Sequence, residues 1–127
     1  MKWLILVCAL VAMSPPAPVT AQPTTRFLAA TVCGTWHSDW GDVTFQCGQI
    51  DTSGLVPITG FWSQAINKRG VIKSGNFNPS SGMVRFDYYE PWANLNGSAV
   101  LSLDPSGAKL SGTWAQSGGN GTWALWR

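Results

Sequence analysis

The stretch LSGTWAQSGGNGTWALWR (residues 110–127) repeats one short unit, a glycine followed two positions later by a tryptophan. The unit occurs twice in this stretch, at 112–114 and 121–123, and again at 34–36 and 60–62. On a β-strand, residues i and i+2 point to the same face, and a glycine there leaves space for a large side chain of the neighbouring strand. The repeats therefore predict closely packed β-strands.

The same stretch also predicts a hairpin with a defined register. Gly118–Gly119 suits a two-residue turn, which places Trp114 opposite Trp123 and Leu110 opposite Arg127. A tryptophan pair of this kind contributes about 1 kcal/mol beyond its area burial. We therefore expect Trp114 and Trp123 to be structural residues.

The rest of the chain has the pattern of an antiparallel sheet. Apolar Val84, Phe86 and Tyr88 alternate with polar Arg85 and Asp87, as half-buried strands do. Turn-forming sequences rich in Gly, Asn, Asp, Ser and Pro divide the chain after Cys33 into eight such segments; they lie at 40–42, 51–54, 67–70, 78–82, 94–97, 104–107 and 117–120.

Eight short strands with short connections predict an all-β, antiparallel meander. Closure into an up-and-down barrel would remove the two exposed sheet edges. A small β-sandwich is the alternative, but it usually needs a longer crossing connection than any seen here.

The N-terminus reads as a secretory signal peptide over residues 1–21. It has a positive Lys2, a short apolar run from Leu4 to Met13, and small residues before a cleavage site near Ala21. We expect a flexible segment over 22–32, a single barrel domain over 33–127, and a secreted or periplasmic location.

Two cysteines, Cys33 and Cys47, follow the signal peptide, and an exported compartment permits them to form a disulfide. Closing a loop of this size contributes roughly 3 kcal/mol. His37 is the only histidine, so His and Cys residues do not form a complete ligand set. We expect neither a metal nor another cofactor, and with Trp36 facing inward we expect His37 to face solvent.

The charge pattern excludes some partner classes. Eight Lys and Arg stand against six Asp and Glu, spread along the chain. The absence of basic clusters argues against nucleic acid and against an anionic membrane surface. No segment after the signal peptide is apolar enough for a membrane span. The oligomeric state does not follow from the sequence.

In a closed barrel, Arg127 at the end of the last strand comes to lie beside Trp36 in the first, where its guanidinium can cover the indole. A first-strand Gly-x-Trp with such an arginine resembles the calycin superfamily of lipocalins, fatty-acid-binding proteins and avidins. GTWHSDWGDVTF (34–45) and ITGFWSQA (58–65) are most similar to the avidin/streptavidin family. This resemblance implies a β-barrel.

The resemblance also argues against biotin as the ligand. The positions of four biotin-contacting residues of that family fall on Ser38, Asp42, Trp62 and Gln64. The family has asparagine, serine, tyrosine and serine there, so none of the four matches. The family's last strand, which would carry a further biotin-contacting aspartate, has no counterpart in this sequence.

The best binding candidates surround the segment 88–92, where aromatic residues flank an acid and a proline. Aromatic faces with nearby amides suit a sugar or a small aromatic ligand. The candidate ligand-binding residues are Trp40, Trp62, Tyr88, Tyr89, Glu90 and Trp92.

Three functions follow, in order of preference. The first is a non-catalytic barrel that binds a small molecule or a glycan, and the second is a protein-interaction module such as an exported enzyme inhibitor. The third is a hydrolase that uses Asp87 or Glu90, although residues three apart on a strand face opposite sides. Asn96 and Asn120 lie in N-glycosylation patterns, which matter only in a eukaryotic secretory pathway.

Overall fold

The computed structural model describes residues 26–127, which form a closed barrel of eight antiparallel strands. Each strand pairs with the next, and the last pairs with the first, so the predicted meander and its closure are confirmed. The predicted signal peptide and residues 22–25 lie outside the described residues. The strands are β1 (Gly34–Ser38), β2 (Asp42–Cys47), β3 (Val56–Ala65), β4 (Lys68–Asn78), β5 (Met83–Glu90), β6 (Leu95–Leu103), β7 (Lys109–Gln116) and β8 (Gly119–Trp126).

The predicted alternation holds along the strands. Val84, Phe86 and Tyr88 of β5 are buried, whereas Arg85 and Asp87 between them are exposed. Inward residues of all eight strands form one apolar core; among the largest are Trp36, Phe45, Ile58, Trp62, Ile72, Phe77, Leu101 and Leu110. Residues 26–127 contain no helix of the length and apolarity needed to cross a membrane.

One end of the barrel is covered by the segment that precedes β1; we call it the closed end. The backbone amides of Arg26 and Phe27 both donate to the Pro79 carbonyl. Val32 is fully buried, and the Phe27 ring lies 6.5 Å from that of Phe77. The expectation of a flexible segment therefore does not describe residues 26–32, because their apolar side chains cover core residues that would otherwise face water.

Arg127 completes the closed end. Its guanidinium lies over the Trp36 ring, with 4.0 Å from Cζ to the ring centroid, so the predicted contact is present. The same group donates hydrogen bonds to the carbonyls of Cys33, at 3.1 Å, and Thr31. The Trp36 indole N–H in turn donates to the Val32 carbonyl at 2.9 Å. Arg127 thus joins the end of β8 to both the covering segment and β1.

The predicted disulfide is also confirmed. Cys33 and Cys47 are bonded, with their Cα atoms 5.8 Å apart. The bond joins the residue before β1 to the last residue of β2, so it fixes the covering segment to the closed end.

The predicted register of the last hairpin is wrong by two residues. The turn consists of Ser117 and Gly118, and Gly118 takes the left-handed φ of +89°. As a result, Trp114 lies opposite Gly121, and Trp123 lies opposite Gly112. This register gives each indole a glycine as its neighbour, whereas the predicted one would place two indoles directly against each other.

Removal of the Trp36 side chain should destabilise the barrel strongly. Trp36→Ala creates a cavity beneath Arg127 at a fully buried position, and we expect a loss of about 3–5 kcal/mol in the free energy of unfolding. Urea denaturation checks this. Trp126→Ala, on the outer face and 44% exposed, is the control and should cost under about 1 kcal/mol; a similarly small cost for Trp36→Ala would contradict the role of the contact.

Candidate functional site

The opposite end of the barrel, which we call the open end, holds a cavity of about 240 Å³. It lies where β3, β5 and β7 end and where the turns after β1 and β5 meet. Its lining consists of aromatic rings, two amides and one acid: Trp40, Trp62, Gln64, Tyr88, Glu90, Trp92, Trp114, Gln116 and Trp123.

Three buried rings form the floor of the cavity. Trp62, Tyr88 and Trp123 are each at most 3% exposed. The Trp62 ring meets Tyr88 at 5.3 Å and 88°, and Trp123 at 5.3 Å and 74°. Edge-to-face contacts of this kind are a favoured geometry for aromatic pairs, so the three rings stabilise one another.

Three more indoles form the rim, and each is partly exposed. Trp40 lies in the turn after β1, Trp92 in the loop after β5, and Trp114 in β7. Trp40 meets Trp114 at 5.9 Å and 88°, while Trp92 meets Trp62 at 6.2 Å and 82°. The rim therefore continues the perpendicular arrangement of the floor.

Glycines on neighbouring strands make room for these rings. Trp62 lies opposite Gly70, and a Cβ at that glycine would be 2.2 Å from the indole. The corresponding distance from Gly97 to the Tyr88 ring is 2.3 Å, because these two residues are also paired. Trp114 covers Gly121 in the same manner. The repeated pairing of glycine with a large ring thus builds the cavity as well as the core.

Two glutamines orient the aromatic groups. The Trp62 indole N–H donates to Gln64 Oε1 at 3.3 Å, and the Tyr88 hydroxyl donates to Gln116 Oε1 at 2.7 Å. An indole N–H can only donate, so the Gln64 oxygen must face Trp62. Among the hydrogen bonds of residues 26–127, the amide nitrogens of these glutamines donate none.

Three further indole N–H groups around the cavity bond to the barrel itself. Trp123 donates to Ser38 Oγ at 3.1 Å. Trp40 and Trp114 both donate to the Thr122 carbonyl, at 3.1 and 3.2 Å. The N–H groups of these three rings are therefore occupied, whereas the indole N–H of Trp92, which also lines the cavity, makes no hydrogen bond within residues 26–127.

Glu90 is the only charged residue that lines the cavity. Within residues 26–127 the one close contact between a basic side chain and a carboxylate joins His37 to Asp42 at 3.2 Å, so no basic side chain contacts Glu90 there. Burial, and secondarily the charge of Glu90, raise the pKa of Tyr88 to about 12. The Tyr88 hydroxyl is therefore neutral at ordinary pH and keeps its hydrogen bond to Gln116.

The structure brings together five of the six predicted binding residues. Trp40, Trp62, Tyr88, Glu90 and Trp92 line the cavity. Tyr89 does not, because its position in β5 points it outward.

On the outside, the Tyr89 hydroxyl donates to Asn94 Oδ1 at 2.8 Å. Trp114 and Trp123, expected to be structural, line the cavity as well, whereas Trp36 and Arg127 lie at the closed end.

Gln64 and Gln116 were not predicted as site residues. Each follows an inward tryptophan by two positions, Trp62 and Trp114 respectively, at the end of its strand. That spacing was the available signal, because a polar residue at an inward position near a strand end must face the barrel opening.

The other residues considered for catalysis or metal binding do not come together in one site. Asp87 is exposed on the outer face of β5, away from the cavity that Glu90 lines. His37 is on the surface as expected, with 64% of its side chain exposed. In the described part of the chain, no three His, Cys, Asp or Glu side chains form a group that could hold a metal ion.

The glycine opposite Trp62 should tolerate no side chain. In Gly70→Ala the new methyl group would lie 2.2–2.4 Å from three indole atoms, and we expect a loss of about 1–3 kcal/mol in the free energy of unfolding through overpacking. Gly119→Ala is the control, since its Cβ would meet nothing nearer than 3.9 Å. Equal stabilities of the two variants in urea denaturation would contradict the packing described.

Tyr88 should make stability fall at alkaline pH. Its folded pKa is raised to about 12 from 10.0, so below pH 10 the hydroxyl is neutral in both states. Between pH 10 and 12 the unfolded chain ionises while the folded protein does not, and the stability from the neutral hydroxyl is lost. The melting-temperature advantage of wild type over Tyr88→Phe should shrink across this window; a constant difference would show that Tyr88 titrates alike in both states.

Comparison with known proteins supports the fold alone. No family model matches the sequence, and no curated protein matches it. Among solved structures, the chain is similar to a redesigned β-barrel, at 18% identity and a TM-score of 0.56, over 78% of this chain and 93% of that one. Because the identity is so low, the similarity concerns the barrel architecture and says nothing about a ligand.

Proposed function

We propose that this protein is an exported, non-catalytic β-barrel that binds a compact small molecule in the cavity of its open end. The observation that carries the proposal is the cavity itself, framed by Trp40, Trp62, Tyr88 and Trp92. A barrel filled by its tryptophans would instead have favoured a protein-interaction module that acts through its loops.

The two ends of the barrel support a division of roles. The closed end is sealed by residues 26–33 and Arg127, which leaves the open end as the entrance. The confirmed disulfide fits an exported location, because such bonds persist in oxidising compartments.

The size of the cavity favours a compact ligand. An apolar protein cavity of about 150 Å³ holds benzene, so about 240 Å³ suits a molecule of slightly larger size. The perpendicular rings favour the same conclusion, because an extended glycan would need an open, flat aromatic surface.

The chemistry of the lining favours binding over catalysis. Glu90 is the only carboxylic acid at the cavity, and Asp87 lies on the outside of the barrel. Hydrolysis of a glycoside commonly uses two carboxylates facing one bond, and the cavity lining offers one.

The avidin resemblance fits the same location. Trp62 and Gln64, which occupy two of the positions where biotin-contacting residues would fall, line the cavity. Ser38, at a third such position, holds the Trp123 indole. We infer an avidin-like barrel whose ligand site has kept its place and changed its chemistry.

Binding can be tested by intrinsic fluorescence with three probes: choline, phenol and methyl β-glucopyranoside. We expect saturable changes with at least one probe, and a loss of affinity of about tenfold in Trp40→Ala or Trp92→Ala. Trp126→Ala is the matched control, because Trp126 is 44% exposed and Trp40 is 38% exposed. If no probe binds, or if the control weakens binding as much, the proposal is wrong.

A further inference from the structure

Resting on the proposed function, we infer that the open-end cavity binds a methylated ammonium group, held by the aromatic rings and by the carboxylate of Glu90. The ligand class is an organic cation that carries a quaternary nitrogen.

The shape of the cavity is the first argument. Trp62 stands nearly perpendicular to Tyr88, Trp92 and Trp123, and Trp40 stands nearly perpendicular to Trp114. These are direct ring-to-ring contacts, with centroids 5.3–6.2 Å apart, so the cavity is lined by rings in different planes rather than by the parallel pair that a flat ligand would favour. A tetrahedral ammonium with methyl groups has the shape that such an arrangement encloses.

The electrostatics of the rings is the second argument. Aromatic faces carry negative charge density and attract cations within about 6 Å of the ring centroid, tryptophan most strongly. The N–H groups of Trp40, Trp62, Trp114 and Trp123 are bonded to protein oxygens. These four N–H groups are thereby occupied, which leaves ring faces, ring carbons and the Trp92 N–H for a ligand.

The unpaired acid is the third argument. Glu90 is partly buried at the cavity, and none of the lining side chains is Lys, Arg or His. The one close contact between a basic side chain and a carboxylate within residues 26–127 lies elsewhere, between His37 and Asp42. A partly buried carboxylate without a cation is costly unless something compensates its charge. A cationic ligand supplies that compensation, and an anionic ligand would be repelled.

The supply of hydrogen-bond acceptors distinguishes a quaternary from a primary ammonium. A primary ammonium carries three N–H donors, and the side-chain oxygens of Gln64 and Gln116 each already accept one hydrogen bond, from Trp62 and Tyr88. Glu90 is the one carboxylate of the lining, so a primary ammonium would have to share the second lone pairs of the two amide oxygens. A methylated nitrogen has no N–H to satisfy, and the two glutamine amide nitrogens can donate to an oxygen elsewhere on the ligand.

A matched pair of probes tests the charge requirement. Choline and 3,3-dimethylbutan-1-ol have the same shape, and only choline is positively charged. By titration calorimetry we expect choline to bind wild type at one site and at least about tenfold more tightly than the neutral alcohol.

A matched pair of variants tests the acid. Glu90→Gln should weaken choline binding by about tenfold or more and leave the neutral alcohol unaffected. Asp87→Asn removes the same charge from the outer face of the same strand and should leave choline binding unchanged. Thermal melts of both variants verify folding, and a misfolded Glu90→Gln would be replaced by Glu90→Ala.

The outcomes separate the two proposals. If the neutral alcohol binds as tightly as choline, or if Glu90→Gln binds choline like wild type, the cavity is a small-molecule site and the cation inference is wrong. If phenol or the glucoside binds and choline does not, the inference is likewise wrong while the proposed function stands. If none of these probes binds, both are wrong.

Discussion

The contact between Arg127 and Trp36 reinforces the closure of the barrel between β8 and β1, the two neighbouring strands with the fewest paired residues. β1 and β8 pair through only two residue pairs, His37 with Trp126 and Ser38 with Leu125, so few backbone hydrogen bonds close the cylinder. Arg127 adds a stacking contact on Trp36 and hydrogen bonds to the segment that precedes β1. The closed end is therefore sealed, and the cavity lies at the opposite end.

The fold could be predicted from the sequence because its signals are local. Alternation such as that of Val84 and Phe86 identifies strands, and glycine-containing turns separate them. The register of the last hairpin could not be predicted in the same way, because Ser117, Gly118 and Gly119 offer two possible two-residue turns. The choice depends on which residue each indole meets on the other strand, and Gly121 gives Trp114 the space that a second indole would not.

The aromatic residues of the candidate site were predictable, and its glutamines were not. Trp92 and Glu90 stand out beside each other in sequence, whereas Gln64 and Gln116 come from separate strands whose ends lie around one opening only in the closed barrel. Tyr89 is adjacent to Tyr88 and Glu90 in sequence, but alternate strand residues face opposite sides, and its hydroxyl bonds to Asn94 on the outside of the barrel. A residue lines the open end only if it lies near the end of its strand and on the inward face of that strand. The sequence indicates both properties only indirectly.

We propose that the tryptophans at the open end bind a ligand, whereas Trp36 at the closed end stabilises the fold. Indole N–H signals in an ¹H–¹⁵N correlation spectrum, assigned by single substitutions and followed during a choline titration, test it most directly. The account predicts saturable shifts for the indoles of the cavity, among them Trp62, Trp92 and Trp114, and unchanged signals for Trp36 and Trp126. Shifts of Trp36 as large as those of Trp62, or no shifts at all, would contradict it.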